Sequence, residues 1–189
     1  ACEKNNVFES SKKLFLRISK KIIRTSILEA ELIKLYSNAN RYINFAIANQ
    51  LYTICHLNNL NFKRVRNIMQ DGYARNLNLA NAGFTAGPCL VKDTMQLKYF
   101  TRNSFPLGSA AMKVNENIPN LIIDKLKMFK NYKSKKIGLL GLSFKGETDD
   151  IRDSLSIVLL KKLKKLNLKI LQSDEYYKDK NGISKKELI

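Results

Sequence analysis

No glycine or proline interrupts the stretch from Glu29 to Leu57, and its apolar side chains keep a helical period throughout. Leu28, Leu32, Leu35, Ala39, Ile43, Ala46, Ile47, Leu51 and Ile54 recur at steps of three and four residues. They share one face of a helix about 40 Å long at 1.5 Å per residue. A helix of this length is either the spine of a helical domain or an interface between subunits. It commits the first half of the chain to an all-α architecture.

The rest of the chain is read around that helix. Residues 1 to 10 are polar and expected to fray. Leu14, Phe15 and Ile18 are spaced for a helix over 11 to 20, and Ile22-Ile23 is a short β-like run. Asn61 can cap a helix through Met69. Residues 71 to 88 form a loop rich in Gly and Asn, longer than most connections, and such loops are often functional. A helical period returns at Leu90, with Met95, Leu97 and Phe100. Phe105-Pro106-Leu107-Gly108 then breaks the chain, and Ser109 starts a helix to about Phe129 that Pro119 is expected to kink or break. Beyond it the period changes. Residues 136 to 142 read as a buried strand, Asp150 to Leu166 as a helix and Leu168 to Gln172 as a second strand, which together make one βαβ unit. The expected fold is an α+β fragment, an all-α central domain with one long helix followed by a partial Rossmann-like α/β domain.

Composition narrows the partners. At 44% hydrophobic the chain should fold. Its three cysteines, Cys2, Cys55 and Cys89, have no metal-ligand spacing, and His56 is the single histidine, so no metal is expected. Sparse thiols suit a reducing cytoplasm. No apolar run reaches membrane-spanning length, so no membrane partner is expected. The net charge of +18 invites nucleic acid. The lysines, however, are scattered over 12–24, 125–136 and 161–169 without stacking aromatics between them, which argues against a dedicated nucleic-acid surface. A positive field equally favours any anionic small substrate.

Three places carry candidate chemistry. Cys89 stands where the small-residue loop Gly83-Phe84-Thr85-Ala86-Gly87-Pro88 meets a helix start, with Lys92 close by. Both the helix N-terminus and the lysine favour a thiolate nucleophile, although a free cysteine is also a common core residue. Lys34 and Asn38 lie one turn apart on the long helix, either as a solvated face with Glu31 or as donors to an oxyanion. Asp93, one turn after Cys89, reads as a surface carboxylate or as a group that orients water or takes a proton. Gly141-Leu142-Ser143-Phe144-Lys145-Gly146 sits between strand and helix, where backbone amides and Lys145 can hold phosphate. Asp149-Asp150 followed by Arg152 places charge at the expected helix start.

Taken together, the segment Glu29 to Ala39 with its Lys-x-x-x-Asn pair, Cys89-Leu90-Val91-Lys92-Asp93, and Gly138 to Ser154 resemble the nucleotide-sugar 6-dehydrogenases of the UDP-glucose and UDP-N-acetylhexosamine type. The resemblance implies a two-step oxidation of a sugar C6 alcohol to a carboxylate with two NAD. Cys89 would form a thiohemiacetal and then a thioester, Lys34 and Asn38 would stabilise the oxyanion, and Asp93 would activate water or take a proton. Arg75, Phe84, Gly87 and Lys145 would contact the UDP-sugar substrate, and Arg152 the cofactor or its domain interface. The long helix would form a homodimer interface.

The chain departs from that pattern at two points. Ala86-Gly87-Pro88 replaces the Gly-Gly-Ser that many relatives carry before the cysteine. No GxGxxG-type turn for the NAD pyrophosphate occurs. The expected layout is therefore residues 1–25 as the remnant of an NAD-binding domain, 26–130 as the helical central domain and 131–189 as a partial nucleotide-sugar-binding domain. An internal fragment of this kind is expected to be inactive alone, with a non-catalytic dimerisation module or a basic nucleic-acid binder as the competing readings.

Overall fold

The computed structural model describes residues 3–178 and 181–188, so Cys2 lies outside the described residues. Helix α1 spans Asn5–Phe15, earlier than the expected 11–20, and the polar start forms a helical turn rather than fraying. Arg24 explains its order. The guanidinium donates to the Glu3 carbonyl at 2.7 Å and to the Asn5 side chain, and lies 5.3 Å over the Phe8 ring. The Ile22-Ile23 run is not a strand. No strand among the described residues lies beside it to share a ladder, and β-propensity without a partner does not make a strand.

Helix α2 covers Ile27–Leu57, as the uninterrupted apolar period predicts. Its start is fixed by a capping box: Ser26 Oγ accepts from the Glu29 amide at 3.2 Å, and the Glu29 carboxylate accepts from the Ser26 amide at 2.7 Å. Helix α3, Phe62–Gln70, is capped by Asn61 as expected, its side chain accepting from the Arg64 amide at 3.0 Å. The long loop that follows includes a short 3-10 turn at Ala74–Asn76 and is tied to α3 where the Arg66 guanidinium donates to the Leu79 and Ala80 carbonyls.

Helix α4 runs Pro88–Phe100 and helix α5 Pro106–Lys127. Two proline expectations are corrected in α5. Pro106 opens the helix at its first position, where the missing N–H costs nothing. Pro119 does not break it, because buried Asn115, Ile118, Leu121 and Ile123 on both sides hold the helix in place. The α/β unit consists of β1 (Lys136–Leu140), α6 (Leu155–Lys165), β2 (Lys169–Ser173) and a short α7 (Lys185–Leu188). The strands pair in parallel, Lys136 opposite Lys169 and Leu140 opposite Ser173. The architecture is α+β, as expected.

Two apolar cores share α5, and a third forms where Leu35 and Ala39 of α2 meet Leu97 of α4. Tyr42, Ile43 and Ala46 of α2 pack with Ala111 of α5 and with Leu90 and Val91 of α4. Ile123 of α5 packs with Leu159 and Leu163 of α6 and with Leu168. Thus α5 belongs to both cores and joins the helical part to the α/β unit. No helix among the described residues is long and apolar enough to cross a membrane.

Candidate functional site

Helices α2 and α4 pack side by side, and where they cross a carboxylate is fully buried between them. Asp93 Oδ2 accepts from Lys34 Nζ at 2.6 Å and from the Asn38 amide. Burial alone pushes this carboxyl up. The hydrogen bonds from Lys34 and Asn38, with the charges of Lys34 and Lys92, outweigh it and hold the group below its usual range. Both surface readings therefore fall: Asp93 is not a solvated helix carboxylate, and Lys34 pairs across to α4 rather than with Glu31. Asp93 Oδ1 is buried without a hydrogen-bond partner.

Cys89 is the second residue of α4, exposed and unpaired. Spacing of four residues puts it on the same helical face as Asp93, one turn nearer the positive end. Cys55 is buried in α2. Lys34, Asn38 and Asp93 are thus brought together from two separate helices, with Cys89 one turn before Asp93 on α4.

The loop before the cysteine is clamped at both ends. Asn49, fully buried on α2, donates to the Gly83 carbonyl at 3.0 Å and accepts from the Gly83 amide at 2.8 Å. Its amide also donates to Asn115 Oδ1 at 2.8 Å, and Asn115 donates in turn to the Tyr42 carbonyl at 3.1 Å. Sequence reasoning passes over Asn49, since only its position on the apolar face, one polar residue among Ala46, Ala48 and Leu51, marks it. At the other end Gly87 adopts φ +106°, and a Cβ there would lie 2.6 Å from Phe144 Cδ2. The ring of the β1–α6 loop therefore rests directly on the backbone next to Pro88 and Cys89.

The β1–α6 loop meets only part of its expectation. Its amides are already engaged: Gly141 N–H donates to the Ser173 carbonyl, Leu142 and Ser143 N–H to Asp174 Oδ2, and Phe144 N–H to the Asp150 carbonyl. The proposed amide cradle for phosphate is thus largely occupied from within. Asp174, which no motif marks, is its organiser. Burial pushes its carboxyl up, but four backbone amides, from Tyr177, Leu142, Ser143 and Tyr176, bring it down to about 2. Lys145 remains exposed, 5.6 Å over the Phe144 ring, at a crevice of about 880 Å³. That crevice also includes Gly141, Ser143, Asp174 and Ser184, and it opens at the carboxyl ends of both strands, where ligands of parallel sheets bind.

Other expected site residues fall elsewhere. Helix α6 begins at Leu155, not Asp150, because the Asp150 carboxylate accepts from the Arg152 amide at 2.9 Å and holds its guanidinium at 2.7–3.1 Å. This local turn replaces a helical one. The Arg152 guanidinium is raised mainly by the Asp150 hydrogen bond, with smaller contributions that include Cys89, and is largely exposed. Phe84 is partly buried and packs against the second core beside Ile123 and Leu159. Arg75 is exposed on the 3-10 turn, where it donates to Tyr73 Oη at 3.5 Å and contacts none of the cluster. Among the described residues, no group of His, Cys, Asp and Glu is placed to hold a metal.

Residues 28–117 match the model for the central domain of the UDP-glucose/GDP-mannose dehydrogenase family, and residues 138–187 match that for its UDP-binding domain. The chain is 34% identical over 158 residues to a UDP-glucose 6-dehydrogenase of Bacillus subtilis, covering 81% of this chain and 36% of that protein. It is 31% identical over 142 residues to the UDP-N-acetyl-D-mannosamine dehydrogenase of Campylobacter jejuni, covering 75% and 35%. A solved structure of the UDP-D-ManNAc dehydrogenase from Pyrococcus horikoshii superposes with a TM-score of 0.83 at 25% identity, over 98% of this chain and 45% of that one. The chain spans about a third of the length of the curated relatives it matches.

Proposed function

Because the chain belongs to the UDP-glucose/GDP-mannose dehydrogenase family, we propose that these residues supply the covalent chemistry of a nucleotide-sugar 6-dehydrogenase. The reaction is oxidation of the C6 alcohol of a UDP-sugar to a carboxylate. One observation carries the reading. Buried Asp93 gathers Lys34 and Asn38 one helical turn from an exposed cysteine at a helix start.

The family implies NAD as cofactor, which would supply the hydride acceptor for oxidation at C6. The residues present do not fit its pyrophosphate, since no GxGxxG-type turn occurs and Arg152 is already held by Asp150. What these residues carry is the carbonyl and acyl chemistry. Cys89 Sγ adds to the C6 carbonyl carbon, forming a C–S bond while the carbonyl electron pair moves to O6. Lys34 Nζ has three protons and the Asn38 amide two, so each keeps an N–H free for O6 after donating to Asp93. At the acyl level, water adds to C6 and the C–S bond breaks, its electron pair returning to sulfur; one proton of the water goes to the leaving thiolate and the other to solvent, leaving the carboxylate. Asp93, held ionised by its two donors, is a weak base. It holds the Lys34 ammonium and the Asn38 amide in place. Lys145, at the mouth of the strand-end crevice, suits the substrate diphosphate.

The test is protection of the thiol. Iodoacetamide should alkylate Cys89 faster than buried Cys55, read by mass spectrometry of the peptides, and UDP-glucose or UDP-N-acetylmannosamine should slow Cys89 alone. Alkylation of Cys89 unchanged by either sugar nucleotide at saturation would refute the reading. A second reading rests on α2, where Leu28, Leu32, Ile33 and Tyr36 are exposed along the first turns. We propose that this face pairs two copies in a homodimer. A monomer in sedimentation equilibrium at high concentration would sink that part.

A further inference from the structure

The fold brings two lysine-rich segments, separate in the chain, to one end of the α/β unit. The α5–β1 connection carries Lys130, Lys133, Lys135 and Lys136, all exposed. The last turn of α6 and the first residue of β2 carry exposed Lys164, Lys165 and Lys169. They meet because the strands are parallel and start together, with Lys136 directly opposite Lys169. Beneath them Leu126 and Tyr132 from one segment pack on Leu163 and Leu168 from the other. Two tight turns with left-handed Asn131 and Asn167 fix both connections.

Like charges directly opposed across a ladder oppose folding, and a carboxylate opposite would favour it. Among the described residues no carboxylate pairs with these lysines. Asp124, the carboxylate near this end of α5, pairs with Lys127 at 3.5 Å. At the tip of the same pole Met128 and Phe129 stand side by side, 70% and 68% exposed, with Leu166 partly exposed beside the second turn.

The expectation of no membrane partner rests only on the lack of a spanning helix, and we propose instead that this pole seats the protein on an anionic bilayer surface, the lysines against lipid phosphates and Met128 and Phe129 among the headgroups. Basic residues ringing exposed apolar side chains are the chemistry of interfacial attachment. A single-stranded nucleic acid fits less well, since its binders present several aromatics in series. Here Phe129 is exposed, whereas the Tyr132 ring is half-buried in the second core. The crevice with Lys145 opens at the opposite, carboxyl ends of the strands, so a seated protein keeps it free.

Vesicle co-sedimentation of the 189-residue chain tests this, with phosphatidylcholine alone against phosphatidylcholine mixed with phosphatidylglycerol. Binding is expected only to the anionic vesicles and should weaken as salt rises. Reversing four charges, Lys135→Glu, Lys136→Glu, Lys165→Glu and Lys169→Glu, should cut the partition coefficient roughly a hundredfold or more, given the contribution of each lysine near a charged surface. Met128→Ser with Phe129→Ser should remove the binding that survives high salt. A control variant reversing Lys12, Lys20 and Lys21 should bind as the unaltered chain does, and circular dichroism melting checks that each variant folds. The proposal is overturned by equal binding to neutral vesicles, by loss in the control but not in the pole variant, or by retention of single-stranded RNA without vesicle binding.

Discussion

Replacing Gly87 with alanine tests whether the cysteine loop and the β1–α6 loop form one seated joint. Two penalties add. At φ +106° and ψ 154° the backbone occupies a region that is essentially glycine-only, with a cost of order 1–3 kcal/mol for other residues. The new Cβ would also lie 2.6 and 2.8 Å from two carbons of Phe144, and forcing a ring out of a packed place costs about 1–3 kcal/mol. Gly87→Ala should therefore destabilise the chain by about 4 kcal/mol in total. Urea unfolding followed by circular dichroism reads the total, and a cycle with Phe144→Ala separates the parts. Trimming the ring removes the collision and leaves the dihedral cost, so the double variant should recover about 1–3 kcal/mol relative to additivity. A loss below about 0.5 kcal/mol for Gly87→Ala would refute both penalties. Full additivity with Phe144→Ala would refute the contact between the loops while leaving the backbone argument standing.

Asn49→Ala should cost about 3 kcal/mol, because it leaves both backbone groups of Gly83 and the Asn115 carbonyl oxygen without their partner; a thermal melt checks it, and a loss under about 1 kcal/mol would count against the clamp. Acid should unfold the protein partly through Asp174. Its folded pKa of about 2 lies below the ordinary 3.8, so it contributes up to about 2 kcal/mol, in full above the ordinary carboxylate range and lost as pH falls toward 2. Asp93 acts in the same sense. Asp174→Asn should flatten the stability slope between about pH 4 and pH 2, and an unchanged slope would show that the four amides do not hold the charge. The 189 residues alone should form no NADH from NAD and any UDP-sugar, and measurable turnover would overturn the reading that they carry no hydride chemistry.

What was legible in the sequence follows from which interactions are local. The α2 period, the Asn61 cap and the placement of Cys89 at a helix start depend on neighbours within a turn, and all three hold. The βαβ pairing is also legible, since two short apolar runs flanking a helix have few other solutions. The start of α6 is misread because Asp150 and Arg152 satisfy each other in a turn that competes with the helix, a choice that periodicity does not register. Pro106 and Pro119 look alike as breakers, yet one sits where no amide is needed and the other is held by tertiary packing. Lys34, Asn38 and Asp93 are visible as separate residues, but their common hydrogen-bonded centre depends on how α2 and α4 cross. Asp174 is the least legible, because a carboxylate that serves four amides of two loops carries no motif of its own.

The Asn49–Asn115 contact has a consequence for how the two longest helices align. Apolar side chains at steps of three and four repeat along α2 and α5, so apolar packing alone tolerates a slip of one helix past the other by a turn. A slip of that kind would move the two buried amides about 5.4 Å apart and strand their donors and acceptors in a dry interior. The pair therefore acts as an alignment pin. It sets the axial position of α2 against α5, and with it the height at which Lys34 and Asn38 meet the turn that carries Asp93 and Cys89.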